Sequence, residues 1–166
     1  MFYRTHQFIE AFFPRIYPSE LLWAKQILSP QANLLFLQQS KAEQRHALAV
    51  AKSLLPYQES LSSSEYLDLI TAALLHDCGK SLTKIRLWQR VFIVLIQQLP
   101  QGIWSLLKNG PSLLAAPLQI ADHHARWGSN LAQEIGLNSR VCLLINDHHS
   151  PNSKLGQMLY RADNQH

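Results

Sequence analysis

Apolar residues recur at three- and four-residue intervals along most of the chain, while strand-like alternation is scarce, so the pattern predicts helices. Over residues 42–55, Ala47, Val50, Ala51 and Leu54 form a buried stripe, and His46 lies beside it, one turn before Val50. Ser40 and Glu43 have capping-box spacing at the start of this helix, and Pro56 stops it. Ser62 and Glu65 repeat the box before the next helix, whose apolar run over residues 70–75 ends in His76-Asp77. Ser29-Pro30 supplies an N-cap and a first helical residue for a helix over residues 31–39. Further helices are predicted over 84–99, 103–108, 113–124, 130–135, 139–147 and 154–163. Pro100-Gln101-Gly102, Asn109-Gly110-Pro111, Gly136 and Ser150-Pro151-Asn152 separate them. Residues 1–30 carry two short helical stretches around Pro14 and Pro18. The expectation is an all-α helical bundle over residues 31–166 with a short helical N-terminal extension over residues 1–30 packed on it.

A chain of 166 residues with 47% hydrophobic content suits one domain with a sizeable core. A formal charge of +4 and a pI near 9.2 make it mildly basic. Because Lys and Arg are dispersed rather than clustered, that balance favours small anions, and nucleic acid is not an expected partner. Cys78 and Cys142 sit in apolar surroundings without Cys-x-x-Cys spacing, so buried free thiols and a reducing, cytoplasmic location are expected. Residues 1–7 lack a basic region followed by an apolar stretch, and no signal peptide is expected. The most hydrophobic window, residues 91–96, is well short of the roughly 20 apolar residues of a spanning helix. A core helix is its plain reading, and a membrane-surface helix over residues 90–99 is the other.

The chemistry lies in a few imidazoles and carboxylates. His76-Asp77 closes a buried run with the two donor types that hold first-row metal ions. His46 upstream, and His123-His124, His148-His149 and Asp163 downstream, add nitrogen and oxygen donors without thiolate. Such a set suits Fe, Mn, Co, Ni, Zn or Mg, and one or two divalent ions are the expected cofactors. A single His near an apolar face is more often a hydrogen-bonded structural residue, and His76 with Gly79-Lys80 also reads as an ordinary helix end; the constellation favours metal. Asp77, with two oxygens, is the natural bridge between two ions. Bound ions lower the pKa of water and neutralise charge on phosphoryl oxygens, which is what phosphoester hydrolysis needs. Lys80 reads equally as a point charge for a substrate phosphate and as a cation complementing the helix macrodipole. Arg86, Arg90 and Arg126 are phosphate contacts or surface ion pairs, and Trp88, Trp104 and Trp127 are base-stacking or core residues.

Together these residues resemble the HD superfamily of metal-dependent phosphohydrolases, named for its His-Asp doublet. The resemblance runs from about Ser40 to Asn164 and is most specific at Leu74-Leu75-His76-Asp77-Cys78-Gly79-Lys80. It implies an HD-domain helical bundle, His46, His76, Asp77 and Asp163 as the four core metal ligands, and Asp77 and Lys80 as the residues that carry catalysis. The extra histidines resemble second-metal ligands of the HD-GYP and dinucleotide-cleaving branches, where one His precedes a Gly by four residues and a later His or His-His follows an Ile by three. His124 with Gly128, and His148-His149 after Ile145, fit that frame, which prefers His124 to His123 and leaves one or both of His148 and His149 as ligands. No Gly-Tyr-Pro follows His148-His149, so cleavage of cyclic di-GMP is not implied. Leu87-Trp88-Gln89-Arg90-Val91 resembles a stretch of small bacterial HD proteins. The function implied is hydrolysis of a small phosphorylated substrate, a phosphomonoester or phosphodiester and foremost a nucleotide. The alternative is a metal- or nucleotide-binding HD module that regulates a partner without turnover.

Overall fold

Ser29, Ser40, Ser62, Asn138 and Ser153 each place a side-chain oxygen over the first turn of a helix. In each case it accepts a backbone N–H three residues on, one of the donors a helix start leaves unpaired. The computed structural model describes residues 14–82, Leu107 and 112–166, and among these every regular element is a helix. The order is α1 (Pro18–Ile27), α2 (Pro30–Gln38), α3 (Lys41–Ser53), a 3-10 turn (Leu55–Ser60), α4 (Ser63–Leu75), a second 3-10 turn (Cys78–Leu82), α5 (Ser112–Glu134), α6 (Ser139–Asn146) and α7 (Lys154–Asp163). The expected capping boxes form at both positions, with Ser40 N–H donating to Glu43 Oε2 at 2.9 Å and Ser62 N–H to Glu65 Oε2 at 3.1 Å.

The run ahead of the His-Asp doublet is apolar on every side, and it takes the one position where that is stable. Residues 68–75 of α4 are all buried, and α2, α3, α6 and α7 pack around them. Phe36, Leu48, Leu54, Leu69, Ile70, Leu74, Ile145 and Leu159 form the centre of this core. Polar clamps fix its ends. Asp68 accepts from Asn138 Nδ2 at 2.7 Å and from Arg140 at 2.8 Å, tying α4 to the start of α6. The Leu74 carbonyl, unpaired at the end of α4, accepts from Gln39 Nε2 at 3.0 Å. Helix α1 is joined to α3 through Glu20, which pairs with Arg45 at 2.8 Å and with Lys52. Burial opposes the Glu20 charge, yet hydrogen bonds from Lys52, Tyr17 and Arg45 bring its pKa down to about 2.

Two sequence expectations need correction. The breaks expected after His124 and before Asn130 do not exist, because α5 runs unbroken for 23 residues from Ser112. Gly128 lies inside it, and the contact that explains its presence belongs to the site below. Gly136 does end α5: at φ +78° it holds the left-handed position, with Leu137 N–H reaching back to the Ala132 carbonyl at 3.0 Å. The second correction concerns residues 14–17, which are not helical; the N-terminal helix opens at Pro18. The helices expected over 84–99 and 103–108, with Arg86, Trp88, Arg90 and Trp104, lie outside the described residues except for Leu107, which is helical. Cys78 and Cys142 are free, the first buried and the second half-buried, and burial pushes the Cys78 thiol up to about 12. No helix among the described residues is long and apolar enough to cross a membrane.

Candidate metal centre

Three helices end at one place. His76 follows the last residue of α4, His148 and His149 follow the last turn of α6, and Asp163 is the last residue of α7. Each helix end carries roughly half a negative charge, so the fold gathers three negative poles around a cluster of donors before any side chain is counted. That arrangement suits a cation.

The imidazoles are oriented by the backbone. His76 Nδ1 lies 2.9 Å from the Ala73 carbonyl, His148 Nδ1 2.6 Å from the Ile145 carbonyl, and His124 Nδ1 3.1 Å from the Ile120 carbonyl. A carbonyl can only accept, so Nδ1 carries the proton in each ring and Nε2 presents its lone pair inward. For His76 and His148 these inward Nε2 atoms are buried and have no hydrogen-bond partner. Buried polar atoms are rarely left so, and two of them aimed into one cluster of donors suit coordination of a cation. The residues present therefore fit a divalent ion.

Two groups of donor atoms result, each with its atoms within 4.8 Å of one another: His46, His76 and Asp163 in one, His124, His148 and His149 in the other. In the first, Asp163 Oδ1 is 2.8 Å from His46 Nε2 and 3.4 Å from His76 Nε2. In the second, the Nε2 atoms of His124 and His149 face each other at 3.1 Å. Asp77 lies between the groups. Its Oδ1 is 3.3 Å from His124 Nε2, and its Oδ2 is 3.7 Å from His76 Nε2 and 2.7 Å from Lys80 Nζ. The Lys80 ammonium thus occupies the side of Asp77 for which a divalent ion would compete.

The Gly that follows His124 by one turn has a steric cause. The 3-10 turn after the doublet lies directly on α5, so that a Cβ on Gly79 would stand 2.0 Å from the His124 carbonyl oxygen and 2.6 Å from Gly128 N. A Cβ on Gly128 would meet Cys78 Sγ, Gly79 N and Ile145 Cγ2, each at 3.2 Å. Two glycines facing each other let α5 approach close enough to bring His124 to Asp77.

The charge states follow. Burial would raise both carboxyls, but Lys80, His76 and His124 hold Asp77 well below the usual range, and His46 and His76 do the same for Asp163. Burial, followed by the charges of His76 and His149, takes His148 down to about 3; burial and His124 lower His149. Burial would lower His76 as well, but Asp77 and Asp163 outweigh it and raise the ring. At neutral pH the centre therefore offers ionised carboxylates and neutral His148 and His149. Access is one-sided: the side chains of His76, Asp77 and His124 are at most 6% exposed and His148 is fully buried, whereas His46, Asp163 and Lys80 reach 17–27% and His149 is exposed.

Every residue expected at the centre is brought there. His123 is not: it is exposed, with its ring 5.8 Å from that of half-buried Trp127. Arg126 is exposed on the same helix. Sequence reasoning missed the positioning carbonyls of Ala73, Ile120 and Ile145. Their signal was available, since each stands three or four residues before a histidine on an apolar helix.

An all-α bundle with histidines and aspartates converging at helix ends defines a candidate divalent-metal protein. The chain matches the HD domain family over residues 44–166 and belongs to it, a family whose members are in general metal-dependent phosphohydrolases that bind divalent metals. No curated protein and no solved structure matches the chain.

Proposed function

We propose that the protein hydrolyses a phosphomonoester or phosphodiester, with nucleotides as the first substrate class. His46, His76, Asp77 and Asp163 would hold one divalent ion, and His124, His148 and His149 would share Asp77 to hold a second. The observation that carries this reading is the Asp77 carboxylate standing between two groups of inward-facing donors. When bound, divalent ions supply a lowered pKa for water and charge neutralisation at the phosphoryl oxygens. The chain's own residues do the rest. His76, His148, Asp77 and His124 form a floor closed to solvent, so substrate approaches from the side of His46, Asp163 and His149. Lys80, on that open side, is the cation placed to draw a phosphate inward, and the net charge of +4 favours the same anions. The location is read as cytoplasmic, from the free thiols.

The test is metal analysis of protein purified without chelator, joined to a screen of nucleotides, dinucleotides and a general aryl phosphate with added Mn²⁺. Bound divalent metal and chelator-sensitive phosphate release are expected. Metal-loaded protein that turns over none of these would instead favour the module that regulates a partner.

A further inference from the structure

A second recess lies away from the metal centre, between the end of α3 with its 3-10 turn and one stripe of α7. Its volume is about 530 Å³, within the range of roughly 300–1,000 Å³ that suits small-molecule sites. One wall is Lys154, Gln157, Met158, Arg161 and Ala162 of α7 with Gln165 just beyond its end, positions that recur at helical spacing. The opposite wall includes Ser53, Leu54, Tyr57 and Ser60.

The lining is one-sided in charge. It holds two cations and no carboxylate; among the described residues neither Lys154 nor Arg161 makes a direct ion pair, and the Lys154 charge reaches Glu65 only at longer range. Leu54, Met158, Ala162 and the ring of Tyr57 supply the apolar part. The Ser53 hydroxyl donates to the Val50 carbonyl and the Ser60 hydroxyl to the Tyr57 carbonyl. Lys154 and Arg161 are seven residues apart, about 10 Å along the helix, so an anionic group meets one of them while the body of the ligand lies along the groove. The exposed face of Tyr57 suits an aromatic ring.

We infer that this groove binds an aromatic organic phosphate of nucleoside-monophosphate size, at a site separate from the metal centre. Arg161 or Lys154, one at each end of the stripe, would receive the phosphate, and Tyr57 and Met158 the ring.

Met158 makes the inference directly testable, because the chain has only two methionines, Met1 and Met158. The 166-residue chain labelled with ¹³C at the methionine methyls gives a simple spectrum, in which Met158→Leu assigns the groove signal. AMP is titrated in the presence of chelator, so that the metal centre takes no part and a failure of the proposed hydrolysis leaves this test standing. A saturable shift of the Met158 signal is expected, weakened about tenfold or more in the double variant Lys154→Gln, Arg161→Gln, and weaker with adenosine or inorganic phosphate alone. Both replaced side chains are at the surface, and the folded state of the variant is checked by its helical circular dichroism. An unmoved Met158 signal overturns the inference, and so does a shift that survives both substitutions with unchanged affinity.

Discussion

His46, His76 and Asp163 come from three helices and include a carboxylate, whereas His124, His148 and His149 come from α5 and the end of α6 and include none. A divalent ion in the first group would meet the full charge of Asp163 as well as Asp77. One in the second would meet the charge of Asp77 alone, together with three imidazoles. The comparison teaches that the two groups are not equivalent. The first could hold an ion with a carboxylate of its own, whereas the second could do so only through the carboxylate it shares.

The strongest challenge to that asymmetry is Asp77→Asn, which keeps the shape but removes the shared charge. Phosphoester hydrolysis is expected to fall about 1,000-fold, roughly 4 kcal/mol of transition-state stabilisation, in a steady-state assay with added Mn²⁺. A variant working at the wild-type rate would remove Asp77 from the centre. Gly79→Ala comes next. The new methyl would press on backbone atoms of α5, which cannot step aside, and a loss of about 3 kcal/mol is expected as a lower thermal melt. Because α5 carries His124, any folded variant should lose metal from the second group first; an unshifted melt would mean that the turn does not sit on α5.

A gentler separation is His124→Ala with His148→Ala. Metal analysis should find the ion of the first group retained, with activity reduced about 10- to 100-fold. Loss of all metal would erase the distinction between the groups. The smallest effect is on pH dependence in the chelated protein, where the groups differ in sign. His148 has a folded pKa of about 3, below the ordinary 6.5, so the unfolded chain binds the proton better. Its contribution is present above about pH 6.5 and is lost as the pH falls, by about 2 kcal/mol near pH 5. His76 is raised, so its contribution is present below its ordinary value and is lost as the pH rises through the raised one. His148→Gln should flatten the acid side of the melting profile and His76→Gln the neutral side; identical profiles would contradict the sign difference.

The helix starts were legible because they are local. Ser40 with Glu43 and Ser62 with Glu65 announce their boxes within four residues, and both form. The apolar run before the doublet likewise announced a buried helix. The continuity of α5 through Gly128 was not legible, because a glycine inside a helix costs about 1 kcal/mol. Its compensation comes from Gly79, 49 positions earlier in the chain, which no local window contains. The meeting of His46 with Asp163 spans 117 positions and was legible only through the family's order of motifs. The choice between His123 and His124 turned on the face of a helix, and the turn packed on Gly128 settles which of them faces Asp77.

The rings of His76, His124 and His148 are each tied to a carbonyl of their own helix or helix end. An ion held by them cannot leave by having these ligands swing aside on the nanosecond scale of free side chains. Each departure would first break a bond that closes α4 or α6, or one within α5. Its residence time would then depend on how firmly those carbonyls hold the rings, so a mutation that frays the end of α6 would be expected to shorten that residence without touching a ligand.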